Sequence, residues 1–270
     1  MKHAVLIQRA ARFSPNSVDN DKAILQAVGR RLAEKGYATA WMSEDNWSEQ
    51  QFSQIQKDVV FTMARSTEVM ESLTQAEQSG VRIVNTPAAV RACSRSRLFT
   101  MLKRNGMPIP PEHGSNGFWL KRGDEAAQSK GDVVYCADDA RLQQAKRQFA
   151  DRGIADMLVQ AHMEGDLVKF YGVADTGFFR VYYPGDDGLT KYGDEHRNGK
   201  PHHYACDQHL FRQSAERMAT LTGIEVYGGD AIITQSGEWF FIDFNDWPSF
   251  SRCREEAAEA ITQLLENERR

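Results

Sequence analysis

Cysteine is scarce: four occur in 270 residues, Cys93, Cys136, Cys206 and Cys253, far apart and without a CxxC pair. That spacing excludes a disulfide-stapled scaffold and a zinc ribbon. Charge of one sign is missing as well, because 33 Lys+Arg stand against 37 Asp+Glu for a net charge of −4, and no basic run is offered to a phosphate backbone. Nucleic acid is not an expected partner. Long hydrophobic runs are also absent. The start, Met1-Lys2-His3-Ala4-Val5-Leu6-Ile7, places only four apolar residues before Gln8 and Arg9, too few for a signal-peptide core or a bilayer span. With a mean hydropathy of −0.55 and 10% aromatics, the expectation is a folded enzyme of the reducing cytoplasm with no membrane partner. There is no GxxxxGK[ST] phosphate loop, no GxGxxG after a strand and no GxSxG elbow. Any nucleotide must be held by another device.

What is present is a change of pattern along the chain. Residues 4–7 form an apolar strand, and a helix capped by Asn20 or Asp21 follows, with Ile24, Val28 and Leu32 at helical spacing before Gly36. Tyr37 to Met42 and Asp58 to Met63 read as strands. A helix from Glu68 to Gly80 and a strand over Val81 to Val84 complete a β-α alternation that predicts an open parallel sheet. Asn85-Thr86-Pro87 and then Pro108, Pro110 and Pro111 punctuate the chain around a helix from Arg95 to Lys103. Beyond them the pattern is α+β. Strands are expected at Phe118 to Lys121, Val133 to Tyr135, Met157 to Gln160, Leu167 to Val173, Phe178 to Tyr183, Asp230 to Thr234 and Trp239 to Phe244. Helices are expected from Asp138 or Asp139 to Arg152, from Asp207 to Leu221 and from Glu255 onward.

The strongest chemical constellation is built on carboxylates. Gly228-Gly229-Asp230 opens one strand, Ser236-Gly237 turns the chain, and the next strand carries Asp243-Phe244-Asn245. A hairpin can set Asp230 beside Asp243, while Asp243 and Asn245, two residues apart, share the face opposite Phe244. Three oxygen-bearing side chains on one face suit Mg²⁺, a hard cation often shared with substrate phosphates. Lys121 ends the apolar strand Phe118-Trp119-Leu120, a costly place for a charge unless an anion answers it. Val159 to Val173 adds a strand, an acidic turn with Glu164 and Asp166, and a strand bearing Lys169. Each lysine or turn alone is a surface feature; their order together is specific.

Over nearly its whole length the chain resembles the ATP-grasp family. The resemblance implies a Rossmann-like domain over residues 1–92, a first ATP-grasp lobe over 93–160 and a second lobe with the metal site over 161–270, with ATP between the two α+β lobes. Asp230, Asp243 and Asn245 then match the Mg²⁺ ligands, and Lys121 matches the lysine on the α- and β-phosphates. Gln160, Ala161 and His162 match the hinge whose backbone meets adenine, and Glu164 or Asp166 falls where an acid would bind ribose. Ser129 to Asp132, with Lys130, resemble a small-residue loop over the phosphates, and the helix holding Arg95 and Arg97 resembles the segment leading into the lobes. Lys169 and Arg180 are the expected catalytic cations at the transferred phosphoryl group, although an arginine on an exposed strand face reads equally well for Arg180. A small-molecule acceptor is the implied partner.

Two reactions stay open. The family's commoner ligase pattern is Glu-x-Asn, whereas Asp243-x-Asn245 followed by Trp247-Pro248 is similar to the inositol trisphosphate kinase branch, as is Ser94-Arg95-Ser96-Arg97. The favoured expectation is a carboxylate-amine ligase acting through an acylphosphate; a small-molecule kinase and a nucleotide-binding module without turnover are the alternatives. His202, His203, Cys206 and His209 include zinc-type ligands, but their spacing matches no closed four-ligand site, and a polar loop with Asp207 capping the next helix is expected.

Overall fold

A computed structural model describes residues 1–14, 16–124, 130–186 and 197–267, without the side chains of Lys130 and Asn267. The first lobe is a parallel sheet of β1 (Lys2–Gln8), β2 (Tyr37–Ser43), β3 (Val59–Thr62) and β4 (Arg82–Val84), in the order β2-β1-β3-β4. Its central strand is apolar without interruption because helices cover both faces. Ala4 and Leu6 pack toward α1 (Val18–Glu34) and α8 (Arg254–Asn267), while Val5 and Ile7 pack toward α3 (Thr67–Gln78). Helix α1 begins ahead of the expected Asn20 or Asp21 cap, because the buried Asp21 carboxylate is paired with Arg9 at 3.3 Å. A short helix, α2 (Glu49–Gln54), was not expected from the sequence pattern.

The second sheet is antiparallel, β6-β5-β7, built from β5 (Phe118–Arg122), β6 (Val133–Cys136) and β7 (Met157–Ala161). Helix α6 (Asp139–Asp151) covers one face, where Phe118, Leu120, Leu142 and Phe149 form a small core. The third sheet runs β11-β10-β8-β9 through β8 (Asp166–Val173), β9 (Phe179–Tyr182), β10 (Val226–Ile233) and β11 (Trp239–Asp246), all antiparallel. Helix α4 (Pro87–Ala92), α5 (Arg95–Arg104) and α7 (Gln208–Thr222) back this sheet, with Leu98, Phe99 and Phe211 against Val168, Phe170 and Phe244. Helices α4 and α5 thus precede the second sheet in the chain but pack with the third. The expected fold class, an α/β lobe followed by two α+β lobes, is the one observed.

Strand β10 starts at Val226, ahead of the expected Asp230, and the reason is the glycine pair. Gly228 and Gly229 lie inside the strand because neighbours come too close for a side chain: a Cβ on Gly229 would stand 2.3 Å from the Asp243 carbonyl oxygen. A β-bulge between Asp230 and Ala231 sets Asp243 opposite Asp230 and Phe241 opposite Ala231. The extra residue lets Phe241 and Phe244 both reach the core while Asp243 and Asn245 keep the other face. Asn85, fully buried, fixes the start of β10 against the first lobe: Nδ2 donates to the Val226 carbonyl at 2.9 Å, and Oδ1 accepts from the Glu225 and Val226 amides at 2.8 and 2.9 Å. Among the described residues no helix is long and apolar enough to cross a membrane.

Candidate active site

A cavity of about 660 Å³ separates the inner faces of the two antiparallel sheets and reaches the C-terminal ends of β1 and β3. The period of a strand decides what faces it. In the second sheet Leu120 turns to the α6 core, so Trp119 and Lys121 line the cavity together with Val133 and Gln160. In the third sheet Val168 and Phe170 turn to the helices, so Lys169 lines it with Asp230, Asp243 and Asn245.

Asp230 lies between Asp243 on one neighbouring strand and Lys169 on the other, and the Lys169 Nζ sits 3.0 Å from Asp230 Oδ1. Asn245 Nδ2 donates to Asp243 Oδ2 at 3.1 Å, and an Arg95 guanidinium nitrogen stands 3.9 Å from Asp243 Oδ1. Burial pushes the Asp243 carboxyl up, but Arg95, Lys121, Asn245 and Lys169 outweigh it and hold it below the usual carboxylate range. Asp243 is therefore ionised at neutral pH. Among the described residues no group of three or more His, Cys, Asp or Glu side chains is gathered for a metal ion. Two carboxylates and an amide oxygen nevertheless suit Mg²⁺, which takes one or two protein carboxylates and completes its shell with water and substrate phosphates.

Lys121 reaches across the cavity. Its Nζ donates to the Ile242 carbonyl at 2.7 Å, joining β5 to β11. Only 7% of the residue is exposed, and burial, with Arg95 nearby, lowers the ammonium to about 8 against the partial support of Asp243 and Asp230. Two polar groups on the cavity wall have no hydrogen-bond partner among the described residues, the Arg95 Nε and the Gln160 carboxamide. Arg95 Nη1 donates to the Arg122 carbonyl at 2.6 Å, so Nε is the part of this cation left open, and with Lys121 and Lys169 it makes a wall fitted to a polyanion. At the far end of β7, the Ala161 N–H donates to the Pro111 carbonyl at 2.7 Å and the His162 N–H to the Gly117 carbonyl at 2.9 Å. These two amides belong to the segment whose backbone was expected to meet a base, and both are hydrogen-bonded within the protein.

No protein-family model matches the sequence, and no curated protein matches it. Solved structures do. D-alanyl-alanine synthetase A from Vibrio cholerae O1 biovar eltor superposes with a TM-score of 0.69 at 11% identity, covering 98% of this chain and 98% of that one. A D-alanine–D-alanine ligase from Bacillus anthracis complexed with ATP gives 0.64 at 9% identity over 98% and 97% of the two chains. A RimK-domain ATP-grasp protein from Sphaerobacter thermophilus DSM 20745 gives 0.64 at 14% identity over 97% and 98%. The chain has the ATP-grasp fold.

Within this ATP-grasp fold several expected residues lie elsewhere. Arg180 does not line the cavity: it sits on the edge strand β9, exposed, paired with Glu256 and lying over the Phe178 ring. Neither Glu164 nor Asp166 lines it either. Both Asp166 oxygens accept backbone amides, from His202 at 2.7 Å and Tyr204 at 2.7 Å, so this buried acid anchors the 202–204 loop instead of meeting a sugar. Ser129 and the Lys130 side chain lie outside the described residues. The described remainder of that loop is tied to α6, since Arg152 donates to the Gly131 carbonyl at 2.7 Å and pairs with the buried Asp132. His203 pairs with Asp186 at 3.1 Å, His209 with Gln213 at 2.9 Å, and Asp207 caps α7 through the His209 and Leu210 amides at 3.0 Å.

The sequence patterns did not single out the ion cluster that closes the cavity against the first lobe. Asp246, 3% exposed, stands between Arg65 and Arg9, with Arg9 at 3.3 Å from Oδ2. Arg9 also donates to the Met63 carbonyl at 3.1 Å and to the Trp247 carbonyl at 3.3 Å. Glu44, also buried, accepts the Ala10 amide at 2.8 Å and the Arg65 amide at 2.8 Å. Burial raises the Asp246 carboxyl, and the two arginines more than reverse it, so it is held below the usual range. A usable signal did exist, because Arg9 and Arg65 follow β1 and β3, and ligands of open α/β sheets gather at the carboxyl ends of strands.

Proposed function

We propose that the protein is an ATP- and Mg²⁺-dependent ligase that joins a carboxylate to an amine through an acylphosphate. The observation that carries this reading is the opposition, across one cavity of an ATP-grasp fold, of Asp230, Asp243 and Asn245 on the third sheet to Lys121 on the second. The superposed D-alanyl-alanine synthetase and D-alanine–D-alanine ligase support it further by their chemistry.

In this reading Lys121, Lys169 and Arg95 hold the triphosphate and offset charge that builds on it during transfer. A substrate carboxylate oxygen attacks the γ-phosphorus, ADP departs with the electron pair of the broken P–O bond, and an acylphosphate results. The amine nitrogen then attacks the acyl carbon, phosphate leaves, and one proton is released as the amide forms. Asp230, Asp243 and Asn245 hold Mg²⁺, which when bound supplies charge neutralisation at the phosphates. The sheets on either side exclude water from the transfer. The Trp247-Pro248 ending resembles a kinase feature; here Trp247 is fully buried in the core shared by the first lobe and the third sheet, its indole donates to the Val84 carbonyl at 3.3 Å, and it lines the cavity together with Pro248.

The test is a screen of amino acids, peptides and polyols with Mg-ATP and hydroxylamine, read by mass spectrometry. A hydroxamate formed with one carboxylate supports the ligase. A stable phosphate ester with no hydroxamate contradicts it and selects the kinase, and no acceptor-stimulated ADP with any compound favours a module without turnover.

A further inference from the structure

The sheet edges of the described residues are closed or cut short, with one exception. Strands β4, β6 and β9 are three or four residues long, and β9 carries Arg180. Strands β7 and β11 give amides to the 108–111 segment, Ala161 to the Pro111 carbonyl at 2.7 Å and Phe241 to the Pro108 carbonyl at 2.8 Å. Strand β2 is the exception. It runs seven residues, Tyr37 to Ser43, in unbroken register with β1, and no charge, proline, glycine or bulge discourages a further strand on its outer side.

The same strand holds an exposed tryptophan in a fixed place. Trp41 is 46% exposed, the one aromatic among the exposed large hydrophobic side chains of the described residues. Ala40 and Met42 pack toward α3 and Tyr37 toward α1, so Trp41 and Thr39 share the α1 face. Gly29, in the middle of α1, makes room for the ring, since a Cβ there would stand 2.5 Å from Trp41 Cζ2. A mid-helix glycine is unfavourable, and here it seats an aromatic ring whose other side is left to water. Preorganised tryptophans of this kind anchor protein interfaces.

The charges at the two ends of β2 select the occupant. Arg31 and Lys35 precede the strand, Glu44 and Asp45 follow it, and Lys35 and Asp45 are both exposed. A second copy laid antiparallel with all seven residues overlapping is centred on Ala40. That register sets Tyr37 opposite Ser43, Thr39 opposite Trp41, and the Lys35 end opposite the Asp45 end. A parallel copy would instead set Lys35 beside Lys35 and Asp45 beside Asp45. Within the chain Lys35 pairs with Glu266 at 2.7 Å and Asp45 accepts the Ala11 amide at 3.0 Å, so these charges steer orientation while the strand and Trp41 make the contact.

We infer that β2 is the seam of a homodimer: the β2 strands of two copies pair antiparallel about Ala40, with Trp41 of each copy against Thr39 of the other, and join two four-stranded parallel sheets across a twofold axis. The seam lies on the first lobe, away from the cavity, and stands whether or not the ATP reading does.

Sedimentation of the full chain should give twice the 30.5 kDa chain mass at micromolar concentration. Mild oxidation then reads the register. Ala40→Cys should form a covalent dimer, because directly opposite Cα atoms lie ~4.5–5.5 Å apart, within reach of a disulfide. Ser43→Cys should not, since its two copies would stand ~20 Å apart along the strands, and the wild-type chain, treated alike, sets the background from its own cysteines. Lys35→Glu and Asp45→Lys should each weaken the dimer about 3- to 10-fold, and mixing the two variants should restore it, because each changed end then meets an opposite charge. Thermal transitions check that every variant folds. If Ala40→Cys does not fold, the mixing experiment decides alone, as damage to one chain is not repaired by adding the other. A wild-type chain that stays monomeric at about 100 μM, a folded Ala40→Cys that does not cross-link, or charge variants that gain nothing on mixing would each overturn the inference.

Discussion

Lys121→Met should separate stability from binding in a way that only a buried, phosphate-seeking lysine allows. Lys121 is 7% exposed and titrates at about 8 instead of the usual 10.5. At ~1.36 kcal/mol per pH unit the folded protein disfavours its charge by roughly 3.4 kcal/mol. Because the folded value is the lower one, the stability tied to this group is fully present above the unfolded value of 10.5 and is lost as the pH falls through about 8. Raising the pH from 7 to 9 should therefore stabilise wild type relative to Lys121→Met by about 1.3 kcal/mol, every other titration being common to both proteins. The bond from Nζ to the Ile242 carbonyl survives deprotonation, so its loss in the variant is a constant offset. Urea unfolding of both proteins at the two pH values measures the difference. The same substitution should weaken ATP binding at pH 7, since it removes a phosphate partner. A stability difference unchanged between pH 7 and 9, or ATP affinity unchanged by calorimetry, refutes the placement of a buried charge at this point.

Asp243→Asn should abolish Mg-ATP turnover while leaving the circular dichroism spectrum and cooperative unfolding in place, because it removes the charge that a divalent ion requires; normal turnover would take Asp243 out of the metal site. Asp246→Asn leaves Arg9 and Arg65 facing a neutral amide in a buried cluster and should cost about 3–5 kcal/mol by urea unfolding at pH 7, with the loss shrinking as acid titrates the wild-type carboxyl below the usual carboxylate range. Arg180→Ala should change acceptor-stimulated ADP release by no more than about twofold, since its exposed partner is Glu256 on α8; a larger loss of kcat would return Arg180 to the catalytic machinery.

The metal-type triad was legible because a strand period and a two-strand hairpin are enough to place Asp230, Asp243 and Asn245 on one face. Lys121 was legible because a charge at the end of an apolar strand requires an answer. For Arg180 both a cavity place and an exposed strand face stood open, because alternation tells which residues share a face, but not that β9 forms the sheet edge, where the face of Arg180 meets α8. Asp166 misled because an acid in a turn looks free until the chain that folds over it, here the 202–204 loop, is in place. The Arg9, Arg65 and Asp246 cluster joins residues more than 180 positions apart, and no local pattern carries that information. Gly228 and Gly229 show the same limit, reading as punctuation when their purpose is the close approach of the Asp243 and Phe170 backbones.

In the proposed reaction a carboxylate oxygen is transferred to phosphate during amide formation. The most direct measurement supplies the acceptor found in the screen with ¹⁸O in both carboxylate oxygens, together with Mg-ATP and its amine partner, and weighs the released inorganic phosphate by mass spectrometry. One ¹⁸O is expected in each phosphate, with ADP as the nucleotide product and the second label retained in the amide. Unlabelled phosphate, label appearing in AMP, or label held in a stable phosphorylated product would contradict it.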